Sequence, residues 1–244
     1  MKLESLKQLW MLAFGDPEEA VENFFRTAYA PKRCRFLEAG EIAAAALYWM
    51  DTAFAGEKYA YIYGVATHPE YRGQGLCRKL MAVTHADLKE QGYAGALLMP
   101  ADSGLRRMYA AMGYREGLCL TEFSCKAGTV ATDVRTVAPE QYVALRRQYL
   151  PEGGVLQEGD SISYLATYAG LYAGDDFLMA AVHEKERLFV PELLGNRERA
   201  PQILKAMGYP EGTFRIPGEE MPFAMFLPLR EDAPVPSYLG LAFD

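Results

Sequence analysis

The chain has little histidine and cysteine, no long apolar run and no basic stretch, and each shortage closes a class of function. Four cysteines (Cys34, Cys77, Cys119, Cys125) and three histidines (His68, His85, His183) occur in 244 residues. No cysteine pair has C-x-x-C spacing, so no structural zinc site and no metal are expected, and the thiols read as reduced and mostly buried. No apolar run reaches the ~18 residues that a membrane helix needs. The first ten residues form an amphipathic helix that carries Glu4, unlike a signal peptide, so a cytoplasmic protein without a membrane partner is expected. Residues 1–128 hold 15 Lys+Arg against 15 Asp+Glu, and residues 129–244 hold 10 against 17, which places the formal charge of −7 in the second half. A neutral first half and an acidic second half offer no basic stripe for phosphates, which argues against nucleic acid as a partner. There is no Gly-Lys-Ser/Thr of a Walker A loop and no G-x-G-x-x-G dinucleotide fingerprint.

What remains is an ordinary soluble composition, 50% apolar and 23% charged, in a length that suits one large domain or two small ones. Within it, residues 64–79 read Gly-Val-Ala-Thr-His-Pro-Glu-Tyr-Arg-Gly-Gln-Gly-Leu-Cys-Arg-Lys. A hydrophobic run ends at His68-Pro69, a glycine turn headed by Arg72 follows, and a helix starts at once. Strand, glycine turn and helix N-terminus together hold anions, because the first N–H groups of a helix point outward and its dipole favours negative charge. Gly73 and Gly75 let backbone approach a ligand with no Cβ in the way.

Periodicity supplies the frame. Leu6, Trp10 and Ala13 stripe a first helix that ends at Phe14-Gly15. Asp16-Pro17-Glu18-Glu19 reads as N-cap, first-turn proline and capping box of a second helix, buried through Val21, Phe24, Phe25 and Ala28. Residues 33–38 and 41–50 read as a hairpin, and Tyr59–Thr67 as a central strand. Leu76, Leu80, Thr84 and Leu88 space a helix that stops at Gly92. A strand over 94–99, a helix from Ser103 with Leu105, Met108, Tyr109 and Met112 on one face, a C-terminal Gly113, and a strand over 115–125 follow. Strand, crossover helix and strand imply parallel pairing in a mixed sheet.

Residues 127–134 are small and polar, which divides the chain into 1–128 and 129–244, the latter ending in a tail over 231–244. The second part echoes the first. Lys89-Glu-Gln-Gly-Tyr-Ala-Gly-Ala-Leu-Leu-Met-Pro100 is similar to Lys205-Ala-Met-Gly-Tyr-Pro-Glu-Gly-Thr-Phe-Arg-Ile-Pro217, preceded by a strand over 188–194 and a helix over 200–207. Between these lies Gly195-Asn-Arg-Glu-Arg, with no R-G-x-G.

Arg72-Gly-Gln-Gly-Leu-Cys77 resembles the [QR]-x-x-G-x-[GA] motif of the GCN5-related N-acetyltransferases (GNAT). The strand at 65–67, the Pro69 turn, and the later stretch 105–114 with Tyr109 and Gly113-Tyr114 fit the same family, over about residues 1–125. Two joined parts, the first with the motif and the second without, look like the tandem enhanced-intracellular-survival-type acetyltransferases, here without their sterol-carrier-like domain. Cys77 stands where the motif prefers Gly or Ala, and Asp102 where the family often has Asn, with Ser103 beside it to supply a polar contact.

The resemblance implies an α/β (α+β) GNAT fold: a mixed central sheet flanked by helices, followed by a second, degenerate GNAT-like domain. It implies acetyl-CoA as co-substrate, its pyrophosphate on Arg72, Gly73, Gln74, Gly75, Leu76 and Cys77, and its pantetheine arm along Val65, Ala66 and Thr67 where the sheet splits. Tyr109 is the implied general acid. The chain end, Tyr238-Leu-Gly-Leu-Ala-Phe-Asp244, is apolar to its last residues, as in a docked segment, and Asp244 is the implied base; Glu38 and Glu41 are lesser ones, and His68 reads as a turn residue. Phe24, Phe25, Tyr48, Trp49, Tyr61 and Tyr63 form an aromatic set toward the acceptor side. The function implied is acetyl transfer to a primary amine in a ternary complex; an acyl-CoA-binding or sensing module is the alternative. Whether the acceptor is a small-molecule or a peptide amine stays open, as does a homo-oligomer.

Overall fold

A computed structural model describes residues 2–243. Its packing separates residues up to 115, joined by 226–234, from residues 116–225, joined by 235 onward. The composition-based boundary at 128/129 differs from this division. The strand over Arg115–Lys126 pairs along Glu211–Pro217 and so goes with the later residues.

The first unit opens with helices α1 (Lys2–Phe14) and α2 (Glu18–Thr27), then strands β1 (Cys34–Ala39), β2 (Ile42–Phe54) and β3 (Glu57–Thr67), helix α3 (Leu76–Glu90), strand β4 (Gly95–Leu98) and helix α4 (Ser103–Ala110). The strands pair in the order β1-β2-β3-β4, antiparallel except for the parallel pair β3–β4. The β2 strand runs past the expected end at residue 50 to Phe54. Ala55 and Gly56, with φ of 51° and 78°, turn it into β3; two left-handed residues in a two-residue loop match the twist of the flanking strands. Alternation sorts the aromatics to the two faces of the sheet. Tyr48 and Tyr63 meet Trp10 of α1 at ring distances of 5.4 and 5.6 Å. Trp49 points the other way, its indole N–H donating to the Tyr93 hydroxyl at 3.1 Å, while Arg35 lies over its ring and pairs with Asp87 of α3.

Asp16 does not cap α2. The cap position is Pro17, without a side-chain hydrogen bond, and Asp16 Oδ2 instead accepts the Trp10 indole N–H at 2.7 Å. A largely buried indole N–H has one proton to place, and the nearby carboxylate takes it in preference to a solvated helix end. A late segment completes the unit. Leu229 N–H donates to Ala94 O at 2.9 Å, Arg230 pairs with Glu57, and the Tyr59 hydroxyl donates to Pro234 O at 2.5 Å.

The second unit contains β5 (Arg115–Lys126), β6 (Arg135–Thr136), α5 (Pro139–Tyr149), β7 (Leu156–Gln157), α6 (Asp160–Leu165), β8 (Gly170–Ala173), β9 (Phe177–His183), β10 (Arg187–Gly195), α7 (Ala200–Met207) and β11 (Glu211–Pro217). A last strand, β12 (Met221–Pro228), lends its final residues to the first unit. The sheet order is β5-β11-β10-β9-β8-β6, with β10 and β11 parallel. The echo seen in the sequence has a structural counterpart. In each unit a strand, a helix and a parallel strand follow one another, and the helix closes the same way. Gly92 and Gly208 have φ of 79° and 78°, and Tyr93 and Tyr209 return N–H bonds of 3.0 Å to Leu88 O and Leu204 O.

The interior of this unit holds a charge. Arg146 and Glu192 are both fully buried and pair at 2.7 Å. Arg146 also donates to Val155 O and Leu239 O, the Tyr238 hydroxyl donates to Glu192, and Gln157 both donates to Leu241 O and accepts its N–H. These bonds tie down the buried residues Tyr238–Phe243.

Candidate active site

One cavity of about 500 Å³ lies wholly within the first unit. The turn between β3 and α3 forms one wall through Tyr71, Arg72, Gly73 and Gly75, continued by Leu76, Cys77 and Arg78 of α3. The end of β3 adds Val65, Ala66 and Thr67, helix α4 adds Leu105, Met108, Tyr109 and Met112, and the end of α1 adds Ala13 and Phe14.

The geometry of each wall has a local cause. A bulge shapes the end of β3: Tyr48 opposes Tyr63 and Ala46 opposes Ala66, so Leu47 faces both Gly64 and Val65. Gly64 has φ of 59°, and a Cβ there would stand 2.8 Å from the Trp10 ring, so only glycine suits it. Bulges of this kind re-aim the residues that follow them. The β3–β4 register runs from Tyr59–Gly95 to Tyr61–Leu97. Strand β4 then ends at Leu98 while β3 continues to Thr67, so the last residues of β3 outrun their parallel neighbour.

Arg72 Nε donates to Thr67 O at 3.2 Å, folding the turn back on the strand. His68 Nδ1 accepts the Glu70 N–H at 3.4 Å, the role of a turn residue. Gly73 and Gly75 have φ of 76° and 74°, with no atom within 4 Å of an added Cβ. Gly75 occupies the N-cap of α3 and no side chain caps that helix, so its first N–H groups face outward unpaired by any cap. Small residues, aligned N–H groups and a helix dipole make a cradle that fits a phosphate ester.

On the opposite wall, Asp102 Oδ1 accepts the Leu105 N–H at 2.8 Å and starts α4. Tyr109 is 6% exposed. Burial raises its pKa above the ordinary tyrosine value, and Cys77 adds to the effect; burial likewise raises the Cys77 thiol. The Tyr109 hydroxyl therefore keeps its proton throughout the neutral range. Behind it, Tyr114 lies 5.8 Å from the Tyr109 ring, and its hydroxyl shares a 2.9 Å bond with His85 Nε2.

Of the residues named from the sequence, Val65, Ala66, Thr67, Arg72, Gly73, Gly75, Leu76, Cys77 and Tyr109 line this one cavity. Gln74 is not on its wall and donates to Glu70 O at 3.4 Å. Ser103 is exposed in the first turn of α4 and is not on the wall either. Asp244 lies outside the described residues. Sequence reasoning passed over Ala13, Phe14, Tyr71 and Arg78 as site residues, and gave Leu105, Met108 and Met112 only a shared helix face; they are part-buried and line the cavity. Phe14, an aromatic closing a helix just before glycine, was the signal available for the first group.

The matching turn of the second unit is closed by its own side chains. Asn196 Oδ1 accepts the Glu198 N–H at 3.1 Å, Asp176 takes Arg199 Nε at 3.0 Å and Asn196 Nδ2 at 2.9 Å, and Pro201 removes an N–H from the first turn of α7. There a carboxylate of the chain itself, Asp176, takes up the turn's arginine, Arg199.

Residues 2–117 match the family model described as an acetyltransferase (GNAT) domain. Solved structures share the fold at low identity. A GCN5-related N-acetyltransferase from Kribbella flavida is 18% identical, with a TM-score of 0.68 over 92% of this chain and 68% of that one. Eis1 from Mycobacterium abscessus is 11% identical, with a TM-score of 0.69 over 94% and 72%. A tandem GNAT protein from the clavulanic acid biosynthesis pathway is 12% identical, with a TM-score of 0.54 over 94% and 96%. No curated protein matches the chain. No helix among the described residues is long and apolar enough to cross a membrane.

Proposed function

From the premise that residues 2–117 are a GNAT acetyltransferase domain, we propose that this chain is an acetyl-CoA-dependent N-acetyltransferase with one active site, in its first unit. The observation that carries this is the pairing, across one cavity, of an uncapped glycine cradle at 72–77 with the buried, protonated Tyr109. The cradle suits the pyrophosphate of CoA. The end of β3, where it outruns β4, suits the pantetheine arm, with backbone N–H groups of Val65–Thr67 to polarise the thioester carbonyl. One such donor is worth about 3 kcal/mol in the transition state.

The acceptor amine attacks the thioester carbonyl carbon. The C–N bond forms, the C–S bond breaks, and the thiolate leaves with the electron pair. Tyr109 supplies that thiolate with a proton. An amine with a pKa near ~10.4 is charged at neutral pH and must first lose a proton. Asp244 is the proposed base, tested by Asp244→Asn, which should lower kcat/KM most at low pH; an unchanged profile removes it from the mechanism. The self-closed turn of the second unit supports a single donor site.

Thermal unfolding with CoA, run beside thiol release over a panel of amines, tests the whole proposal. CoA at about 100 times its Kd should add about 2.7 kcal/mol, and thiol release should require an amine. Stabilisation with no amine-dependent release makes the protein an acyl-CoA-binding module. No stabilisation at all removes the site.

A further inference from the structure

The wall of the cavity bears on which amine is acetylated. Among its described lining residues stands no Asp or Glu, and its charged members, Arg72 and Arg78, belong to the cradle turn and to the first turn of α3. Away from that turn the wall is apolar: Ala13, Phe14, Leu105, Met108 and Met112. Phe14 is the informative one. It is 47% exposed yet held from behind, its ring edge-on to Trp10 at 5.4 Å. Trp10 is itself fixed by the indole bond to Asp16 and by the Phe24 ring at 4.6 Å. A braced aromatic that faces a cavity offers ring contact at little further cost in side-chain entropy. The carboxylate closest to Phe14 in sequence, Asp16, is already engaged by Trp10.

We propose that the acceptor is a monoamine carried on an apolar, preferentially aromatic body, that Phe14 selects it, and that polycationic amines are poor acceptors. This rests on the acetyl-transfer assignment above. A polyamine or aminoglycoside would bring several ammonium groups to an apolar wall on which no described residue offers a carboxylate and Asp244 serves one amine at most, so its further charges lose water without gaining a partner. An arylalkylamine packs its ring on Phe14 and on the methionine sulfurs, which favour aromatic edges. The same apolar wall desolvates its ammonium and favours the neutral, attacking form.

The test is kcat/KM with acetyl-CoA for 2-phenylethylamine, tryptamine, spermidine and kanamycin, in the wild type and in Phe14→Ala, with CoA-induced thermal stabilisation measured on both proteins. Both aromatic monoamines should exceed both polycations by at least about tenfold. Phe14→Ala should cut the aromatic values by about fivefold, chiefly through KM, while the CoA stabilisation stays. A polycation that matches or surpasses the aromatic amines overturns the proposal. So does an unchanged aromatic-to-polycation ratio in Phe14→Ala, or CoA stabilisation with none of the four amines consumed. Failure of CoA to stabilise the wild type would instead overturn the acetyl-transfer assignment.

Discussion

Gly75→Ala separates the two jobs of the glycine turn. Gly75 sits at φ 74° and ψ 9°, and an added Cβ meets no atom within 4 Å. The folded protein therefore suffers backbone strain without a clash, about 1–2 kcal/mol for a left-handed alanine. In a chain of 244 residues unfolding cooperatively, that lowers Tm by about 2–8 °C. A pyrophosphate seated on this turn adds a second, separable loss. The empty space at Gly75 belongs to the cavity it lines, and a methyl group there lifts the anion off the N–H groups. Losing one charge-assisted hydrogen bond costs about 1.5–3 kcal/mol, so Kd for CoA should rise about tenfold to a hundredfold. Gly75→Asn divides the effects, since asparagine tolerates the left-handed region but fills the same space. It should recover most of the Tm and none of the affinity. Calorimetric titration with CoA beside a thermal scan reads both. Wild-type CoA affinity in either variant would refute the placement of the phosphate on this turn.

Three further outcomes follow from the geometry. Tyr109→Phe should lower kcat by about a hundredfold or more at unchanged CoA affinity, and because burial raises the Tyr109 pKa, wild-type kcat should show no tyrosine-linked loss up to pH 9; a kcat within a few-fold of wild type removes Tyr109 as the acid. His85 stays neutral in the fold because burial lowers its pKa to about 4, while the unfolded chain protonates it near 6.5, so its share of stability is full above pH 6.5 and about 3 kcal/mol is lost as the pH falls through 4. Urea unfolding at pH 7 and pH 4 should show that loss in the wild type and much less of it in His85→Gln. Arg146→Met leaves Glu192 buried without its cationic partner and should cost about 3–5 kcal/mol by urea unfolding, most of it recovered in Arg146→Met with Glu192→Leu; no recovery would mean that the Arg146 hydrogen bonds to Val155 and Leu239 dominate.

Features set by near neighbours were legible in the sequence. Helix α7 spans Ala200–Met207 as its periodicity predicts, α3 starts directly after Gly75, and the Gly-Tyr pairs at 92–93 and 208–209 close their helices alike. These depend on backbone preferences and on apolar spacing within a few residues. Reasoning of that range failed wherever a distant group intervened. Asp16 has the spacing of a cap, but Trp10 claimed its carboxylate. Residues 231–234 read as the start of the tail, yet they belong to a segment, 226–234, that bonds to Ala94, Glu57 and Tyr59 in the first unit. Leu105, Met108 and Met112 read as one helix face and no more, because helical periodicity reports which residues share a face, and says nothing of whether that face meets protein or an empty cleft.

By itself, then, the sequence determined a strand, a glycine turn and a helix N-terminus at 64–79, a tyrosine helix some way downstream, and a second half that repeats the scaffold without the cradle. All of these rest on local backbone freedom, short-range hydrogen bonding and residue spacing. Only the tertiary structure decided that cradle and Tyr109 face one cavity, that Phe14 stands braced on its rim, and that the second turn is closed by Asp176 and Arg199. Those outcomes depend on which side chains meet across long loops, a choice made by packing and by the pairing of buried polar groups, which no spacing along the chain encodes.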